Sequence, residues 1–402
     1  MHDALSNFTV EYAGEYAGYR EPGEIIIRND RILITRAVRL IEPKEGDCEF
    51  LKKFIRRTFT RFHTVVDDGG RETEIYQFDA VFGWLQGALR TLYEAKPGKW
   101  RHGQALVLLG DSGIGKTSLQ HLFTTAFGGR ATDPELFFKD RTSFNEQMGE
   151  REHWMMSDPK NKNRAEQEKF LGDIKKYVAN VWMPHHPKGA KQTDIPTFRR
   201  MSISLNTDYS GMKILQDMSE SDLDKVILVN FEHAGPFKPD GQEWGGLSWE
   251  DWEEKTTAQL PAFLYWIFNE YEVPAPLRHV RYNVVYRNPE VEPELAAPSA
   301  PDQDRKDQDI VHRALGITII NGRELSAGQL FDIIYKFDSD VRERAKTSEN
   351  FASSKTVLKM LQRWWRRYSD DTKDPWAVFI GFKMQQVHYK TNGAYFFKFK
   401  SV

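Results

Sequence analysis

The residues best suited to chemistry lie in one octapeptide. Gly110-Asp111-Ser112-Gly113-Ile114-Gly115-Lys116-Thr117, followed by Ser118, is a complete G-x-x-x-x-G-K-[ST] pattern. Glycines at these spacings let backbone N–H groups converge on phosphate oxygens, and a helix opening at the motif adds the positive end of its dipole. The Lys116 ammonium suits the β- and γ-phosphate oxygens of ATP, and the Thr117 hydroxyl suits Mg²⁺. The apolar run ALVLL before the motif and TSLQHLFTTAF after it supply the strand and helix that such a loop requires. The expectation is an ATP and Mg²⁺ site with contacts from Gly110 through Ser118.

Hydrolysis asks for more than binding. An acid at a neighbouring strand end must hold the hydrated metal, and a polar group must face the γ-phosphate or the attacking water. Asp158, ending HWMMSD, meets the first need and joins Thr117 as a metal position; Asn206, ending MSISLN, meets the second. Each also has a plain structural reading, Asp158 as a cap or turn before Pro159 and Asn206 as a turn asparagine.

These groups need a sheet to position them. Short apolar runs at 105–109, 153–157, 201–205 and 226–231, separated by helical patterns at 117–127 and 166–178, read as strands covered on both faces, hence an α/β fold. A helix over 249–271 closes this body. Ahead of it, EIIIRNDRILITR reads as a hairpin about Asn29-Asp30, and apolar residues at three- and four-residue spacing predict a helical layer from Glu49 to Glu94. The expected order is a β-hairpin segment at 1–47, a helical region at 48–99, a P-loop ATPase domain at 100–285, a Pro-rich acidic linker at 286–304 and a basic domain at 305–402.

Charge separates the last part from the rest. The chain holds 56 Lys and Arg against 58 Asp and Glu, yet residues 305–402 hold 18 against 11. Helices at 326–337 and 353–368 followed by strands at 378–382 and 395–399 follow a winged-helix order. Lys355, Lys359, Arg363, Arg366 and Arg367 fall largely on one side of the second helix, with Val357, Leu358, Leu361 and Trp365 toward a core. This points to DNA binding, with a solvated face on a protein-docking domain as the alternative. The single cysteine, Cys48, excludes an intramolecular disulfide framework and fits a cytoplasmic setting, and no segment has the roughly 20 apolar residues of a membrane span.

In order and spacing, a P-loop, an acidic strand end and a strand ending in Asn within about 100 residues resemble a superfamily 3 helicase, and more closely the phage, plasmid and poxvirus primase-helicases. EIYQFDAVFGWLQGALRTLYEAKPGKWRHGQALVLLGDSGIGKTSL is similar to that family's helices leading into its P-loop (Walker A) strand, SFNEQMGEREHWMMSD to its approach to the acidic Walker B motif, and LPAFLYWIFNEY to its closing helix. The resemblance implies an AAA+-like ATPase acting as a homo-hexameric ring that translocates on single-stranded DNA and opens forks, with a primase or polymerase as a possible partner. It implies a DNA-gripping hairpin at MPHHPKGAKQ, with His185, His186, Lys188 and Lys191. It also implies a basic residue supplied to the neighbour's ATP. SDLDKVILVNF puts Lys225 at one of the family's two basic positions and Asp224 at the other, and Arg199 and Arg200 are substitutes. The implied catalytic set is Lys116, Asp158, Asn206, Lys225 and Arg200.

The chain departs from the family's paired acids, since Ser157 and Pro159 flank Asp158. Either Asp158 serves both metal and water, Glu150 or Glu152 contributes, or turnover is weak. Two other classes remain open: a nucleic-acid-binding scaffold with a vestigial ATPase, and a P-loop nucleotide or small-molecule kinase.

Overall fold

The computed structural model describes residues 9–66, 70–101, 103–139, 142, 144–159, 164–188, 192–215, 218–232, 247–295, 307–308, 310–315, 324–336, 339–346, 348–368, 377–379, 382–388 and 395–401. The chain divides into two compact units, 1–297 and 298–402.

The first unit opens with strands β1 (Tyr12–Glu15), β2 (Gly23–Ile27) and β3 (Asp30–Arg36). β2 and β3 form the hairpin expected at 24–36, and β1 adds a parallel third strand on the other side of β3. Helix α1 (Glu49–Thr58) buries Leu51, Phe54 and Ile55. The helical layer does not then run on to Glu94. Strands β4 (Phe62–Val66) and β5 (Glu72–Tyr76) pair as an antiparallel hairpin before helix α2 (Gln77–Glu94) begins. FHTVV and ETEIY alternate in exposure residue by residue, which is the strand period rather than the helical one.

The centre is a five-stranded parallel sheet in the order β12-β6-β11-β8-β7. Its strands are β6 (Ala105–Leu109), β7 (Ala131–Thr132), β8 (His153–Ser157), β11 (Arg200–Leu205) and β12 (Val226–Asn230). Helices α3 (Lys116–Ala126), α4 (Arg164–Ala179) and α5 (Trp249–Asn269) follow or flank them. All five residues of β6 are buried, as a strand covered on both faces requires. Because the strands are parallel, their carboxyl ends share one edge, the usual place for a ligand in such sheets. Strands β9 (Trp182–His185) and β10 (Thr193–Pro196) form a separate antiparallel hairpin. β13 (Arg278–His279) and β14 (Asn283–Val284) form another. Among the described residues no helix is long and apolar enough to cross a membrane.

The segment expected to begin a linker at 286 packs against this unit instead. Tyr286 and Asn288 are buried, and the Asn288 amide donates to Leu228 O (3.1 Å) and to Asn230 Oδ1 (2.9 Å). Met218 N donates to Leu295 O at 2.9 Å. The prolines concealed Tyr286, Val291 and Leu295, whose apolar surface is worth burying.

The second unit contains β15 (Glu324–Ser326), helices α6 (Ala327–Lys336), α7 (Ser339–Lys346) and α8 (Ser354–Tyr368), then β16 (Ala377–Phe379), β17 (Phe382–His388) and β18 (Tyr395–Ser401). The strands make a four-stranded antiparallel sheet, β15-β18-β17-β16, where a two-stranded hairpin was expected. Val357, Met360, Leu361 and Trp364 of α8 are buried with Leu330, Ile334, Met384, Phe397 and Phe399. Trp364 is a core residue here, and the side chain of Trp365, expected in the core, lies outside the described residues.

Candidate nucleotide site

The P-loop leaves β6 at Leu109 and is tied to the adjacent strand by Gly110 N donating to Leu205 O at 3.2 Å. A Cβ at Gly110 would meet the carbonyl oxygen of Phe231 at 2.8 Å, so only glycine fits. Gly113 (φ +79°) and Gly115 (φ +98°) are in the left-handed region, and α3 starts at the next residue. Their lack of a Cβ lets the loop turn back over the helix N-terminus.

Lys116 is buried, and its Nζ donates to Gly110 O and Asp111 O, each at 2.7 Å, and to Asn206 Oδ1 at 3.1 Å. Burial lowers its pKa, while the carboxylates of Asp158 and Asp111 oppose the shift. Thr117 is exposed in the first turn of α3. The Thr207 hydroxyl donates to the Asp111 carboxylate at 2.9 Å, a further link between the loop and the end of β11.

Asp158 follows β8 directly. Its backbone takes φ +47°, an uncommon value for a non-glycine residue, and its N–H donates to Ser204 O at 2.9 Å. The residue is exposed on the same sheet edge as Lys116 and Asn206, since all three follow the carboxyl ends of neighbouring parallel strands. Glu150 and Glu152 do not stand beside it. Both precede β8, roughly 20 Å away at strand rise. Glu150 accepts the Tyr12 hydroxyl, while the fully buried Glu152 accepts Arg130 and Gly18 N.

Beneath the loop runs a buried polar chain that the sequence pattern does not announce. The Gln120 amide donates to Ser202 Oγ (2.8 Å), Ser202 Oγ meets His153 Nε2 (2.8 Å), and His153 Nδ1 meets Thr124 Oγ1 (2.6 Å). It fastens two turns of α3 to β8 and β11. Burial pushes the His153 pKa down to about 3, so the imidazole is neutral. A histidine opening β8 and a serine among the buried positions of β11 were the available signal.

These residues fit a nucleotide and a divalent cation. The Lys116 ammonium already holds three oxygen acceptors, and the loop has left-handed glycines at two positions. At Thr117 and Asp158 a hydroxyl and a carboxylate are exposed to solvent beside it, as metal ligands would have to be.

The remaining expected residues are dispersed. Lys225 is buried ahead of β12, at the opposite strand end from the P-loop, and its ammonium is bound by the Asp224 carboxylate. Arg200 opens β11 and is 4% exposed. Its guanidinium does not project from the surface of this unit, where a finger would have to stand, and Arg199 is likewise buried. In the β9–β10 hairpin His185 is not on the surface: it is fully buried against Tyr12 and Tyr16, and its pKa falls to about 4 through burial. His186 is half-buried beside Phe144, Lys188 is exposed, and Lys191 lies outside the described residues. On α8, Lys355, Lys359 and Arg363 are exposed one turn apart, whereas the side chains of Arg366 and Arg367 lie outside the described residues.

No protein-family model matches the sequence, and no curated protein does. Among solved structures, the chain is similar to the apo structure of the NrS-1 C-terminal region, at 14% identity and TM-score 0.51, over 97% of this chain and 85% of that one. A second apo form of the same region gives 14% identity and TM-score 0.50 over the same shares. The likeness shows a shared fold. A JCV helicase aligns over 55% of this chain and 53% of its own at 11% identity and TM-score 0.30.

Proposed function

We propose that this chain is an ATP-hydrolysing motor of the superfamily 3 helicase type, acting on single-stranded DNA as a ring, as a hexamer, in phage or plasmid replication. The observation that carries the reading is the convergence of Lys116, Asn206 and Asp158 on one edge of a parallel sheet, with the Lys116 ammonium 3.1 Å from Asn206 Oδ1. The fold is shared with the NrS-1 C-terminal region over nearly the whole chain, a likeness of architecture.

In this reading the loop N–H groups and Lys116 bind the triphosphate, and Asn206 orients its γ end. Thr117 and Asp158 hold Mg²⁺, which neutralises phosphate charge when bound. Lys188 with Lys191, and α8 with its Lys355, Lys359 and Arg363, grip DNA phosphates without reading sequence. The second unit acts as the winged-helix-like DNA-binding module, supported by the helix-then-hairpin order of α8, β17 and β18.

The test is ATP hydrolysis by wild type and Lys116→Ala, with and without single-stranded DNA, combined with sizing in the presence of nucleotide. DNA-stimulated turnover by an assembled ring, lost in Lys116→Ala, is expected. A monomer with DNA-independent turnover would overturn the reading. One observation favours a second reading, a DNA-binding scaffold with a vestigial ATPase: Glu150 and Glu152 are engaged elsewhere, leaving Asp158 without a partner acid on β8. It predicts nucleotide binding without turnover.

A further inference from the structure

Two adjacent buried arginines open β11, and they are engaged very differently. Arg199 donates to Tyr177 O (3.0 Å), Val181 O (3.2 Å), Thr197 Oγ1 (3.3 Å) and Asn180 O. It therefore caps the carboxyl end of α4, whose last carbonyls need donors. The side chain of Arg200, 4% exposed, makes one hydrogen bond among the described residues, from Nη1 to Arg199 O at 2.9 Å, and lies 5.0 Å over the Phe198 ring. Among the described residues it has no carboxylate partner. Burial and the neighbouring Arg199 push its pKa down to about 9, with no acid opposing the shift. A buried guanidinium without a counter-ion costs several kcal/mol, on the order of what breaking a buried ion pair costs.

The same spot holds a second uncommitted donor. Arg200 and Trp100 both line a cavity of about 20 Å³, enough for a water-sized group. The buried indole Nε1 of Trp100 has no acceptor among the described residues. The exposed Arg101 lines this cavity as well, and with Lys99 and Arg90 it also lines a neighbouring groove of about 290 Å³, where Glu94 is the acid. Two incompletely bonded donors thus line one cavity whose carbonyl acceptors are taken by Arg199, and Arg101, Lys99 and Arg90 continue the positive charge into the neighbouring groove.

We propose that the cavity between Trp100 and Arg200 is a phosphate-binding site distinct from the P-loop, receiving one non-bridging oxygen of a phosphate group while Arg101 faces the remainder. It lies at the amino-terminal edge of the sheet, about five residues of β11, roughly 17 Å, from the end that carries Asn206. The phosphate is either free or nucleotide-borne, or one link of a nucleic-acid strand following Arg101, Lys99 and Arg90. The site does not depend on the motor reading.

The indole N–H of Trp100 reports directly on this site. In amide-type ¹H–¹⁵N spectra of the full chain, its signal is identified by its loss in Trp100→Phe. Titration with inorganic phosphate is expected to move that signal downfield and saturably, Arg101→Ala to weaken the response several-fold, and Arg200→Gln to abolish it. Oligothymidylate producing the same shift at lower concentration assigns the phosphate to a strand; a response to inorganic phosphate alone assigns it to a free ion. Lys116→Ala must leave the response intact. A Trp100 signal that neither ligand moves, that responds alike in wild type and Arg101→Ala, or that falls silent in Lys116→Ala overturns the proposal. Arg101 is exposed, so its variant remains decisive if Arg200→Gln does not fold.

Discussion

The ammonium of Lys116 lies 3.1 Å from the Oδ1 of Asn206, joining the loop after β6 to the end of β11 across ninety residues of chain. The contact exists because β6 and β11 are adjacent and parallel, paired through Leu109 and Leu205. The residue that follows each strand therefore emerges on the same edge. The lysine is held by Gly110 O, Asp111 O and Asn206 Oδ1 together, so the loop and the end of β11 are fastened through one ammonium.

Removing this acceptor tests its role. In Asn206→Ala, turnover is expected to fall by roughly 10²-fold, the scale on which a single polar group acts on transition-state charge, with a smaller change in KM for ATP. Steady-state ATPase kinetics separates the two; an unchanged kcat would restrict Asn206 to a turn.

Asp158 and Glu152 should part company. Asp158→Asn is expected to eliminate turnover while leaving the urea midpoint near that of wild type, since the residue is exposed. Glu152→Gln removes the fully buried carboxylate that pairs with the partly buried Arg130, which keeps Glu15 as a second partner, and should cost about 3 kcal/mol of stability or less. Activity per folded molecule should persist. Equal loss of activity in the two variants would contradict this division.

Acid should destabilise the first unit early. His153 and His185 have folded pKa values near 3 and 4, below the ordinary 6.5, so between these values the unfolded chain binds protons that the folded chain refuses. Stability is then full above pH 6.5 and declines as pH falls, by about 1.4 kcal/mol per unit for each group. Urea unfolding at pH 7.5 and pH 5.0 measures this, and the difference should shrink in His153→Gln. A difference that His153→Gln leaves unchanged would count against it.

The hairpin makes a distinction between neighbours. Lys188→Ala with Lys191→Ala should weaken single-stranded DNA binding and flatten its salt dependence by roughly 0.7 in slope for each phosphate no longer neutralised, with basal ATPase retained. His185→Ala should instead lower the melting temperature, because that ring is packed between Tyr12, Tyr16 and Glu146 O. Anisotropy across a salt series together with thermal melting reads both, and a hairpin variant with unaltered binding would remove it from the DNA path.

Charge reversal on the second unit is the parallel case. Lys355→Glu with Lys359→Glu should reduce DNA affinity by roughly tenfold or more at low salt while leaving ATP hydrolysis without DNA untouched, because neither residue contributes to the unit's core. Unchanged affinity would make α8 a solvated face.

The P-loop, the strands around it and the places of Asp158 and Asn206 were all legible in the sequence. They depend on local requirements: glycines where φ must be positive, apolar runs where both sheet faces are covered, a polar residue where a strand ends. What the sequence could not express was which charged residues point inward. Arg199 and Arg200 read alike as a basic pair, yet one caps α4 and the other faces a cavity. Glu150 and Glu152 read as acids near a catalytic strand end, yet they stand at its far end, bound to Tyr12 and Arg130. His185 and Lys188 are three residues apart in one hairpin, and only the lysine is exposed. Local backbone preference is carried by neighbours in sequence, whereas burial and pairing of a charge depend on partners that the fold brings from tens to hundreds of residues away. For that reason the conformation of the loop was written in eight consecutive residues, and the placement of its surrounding charges was decided only by tertiary packing.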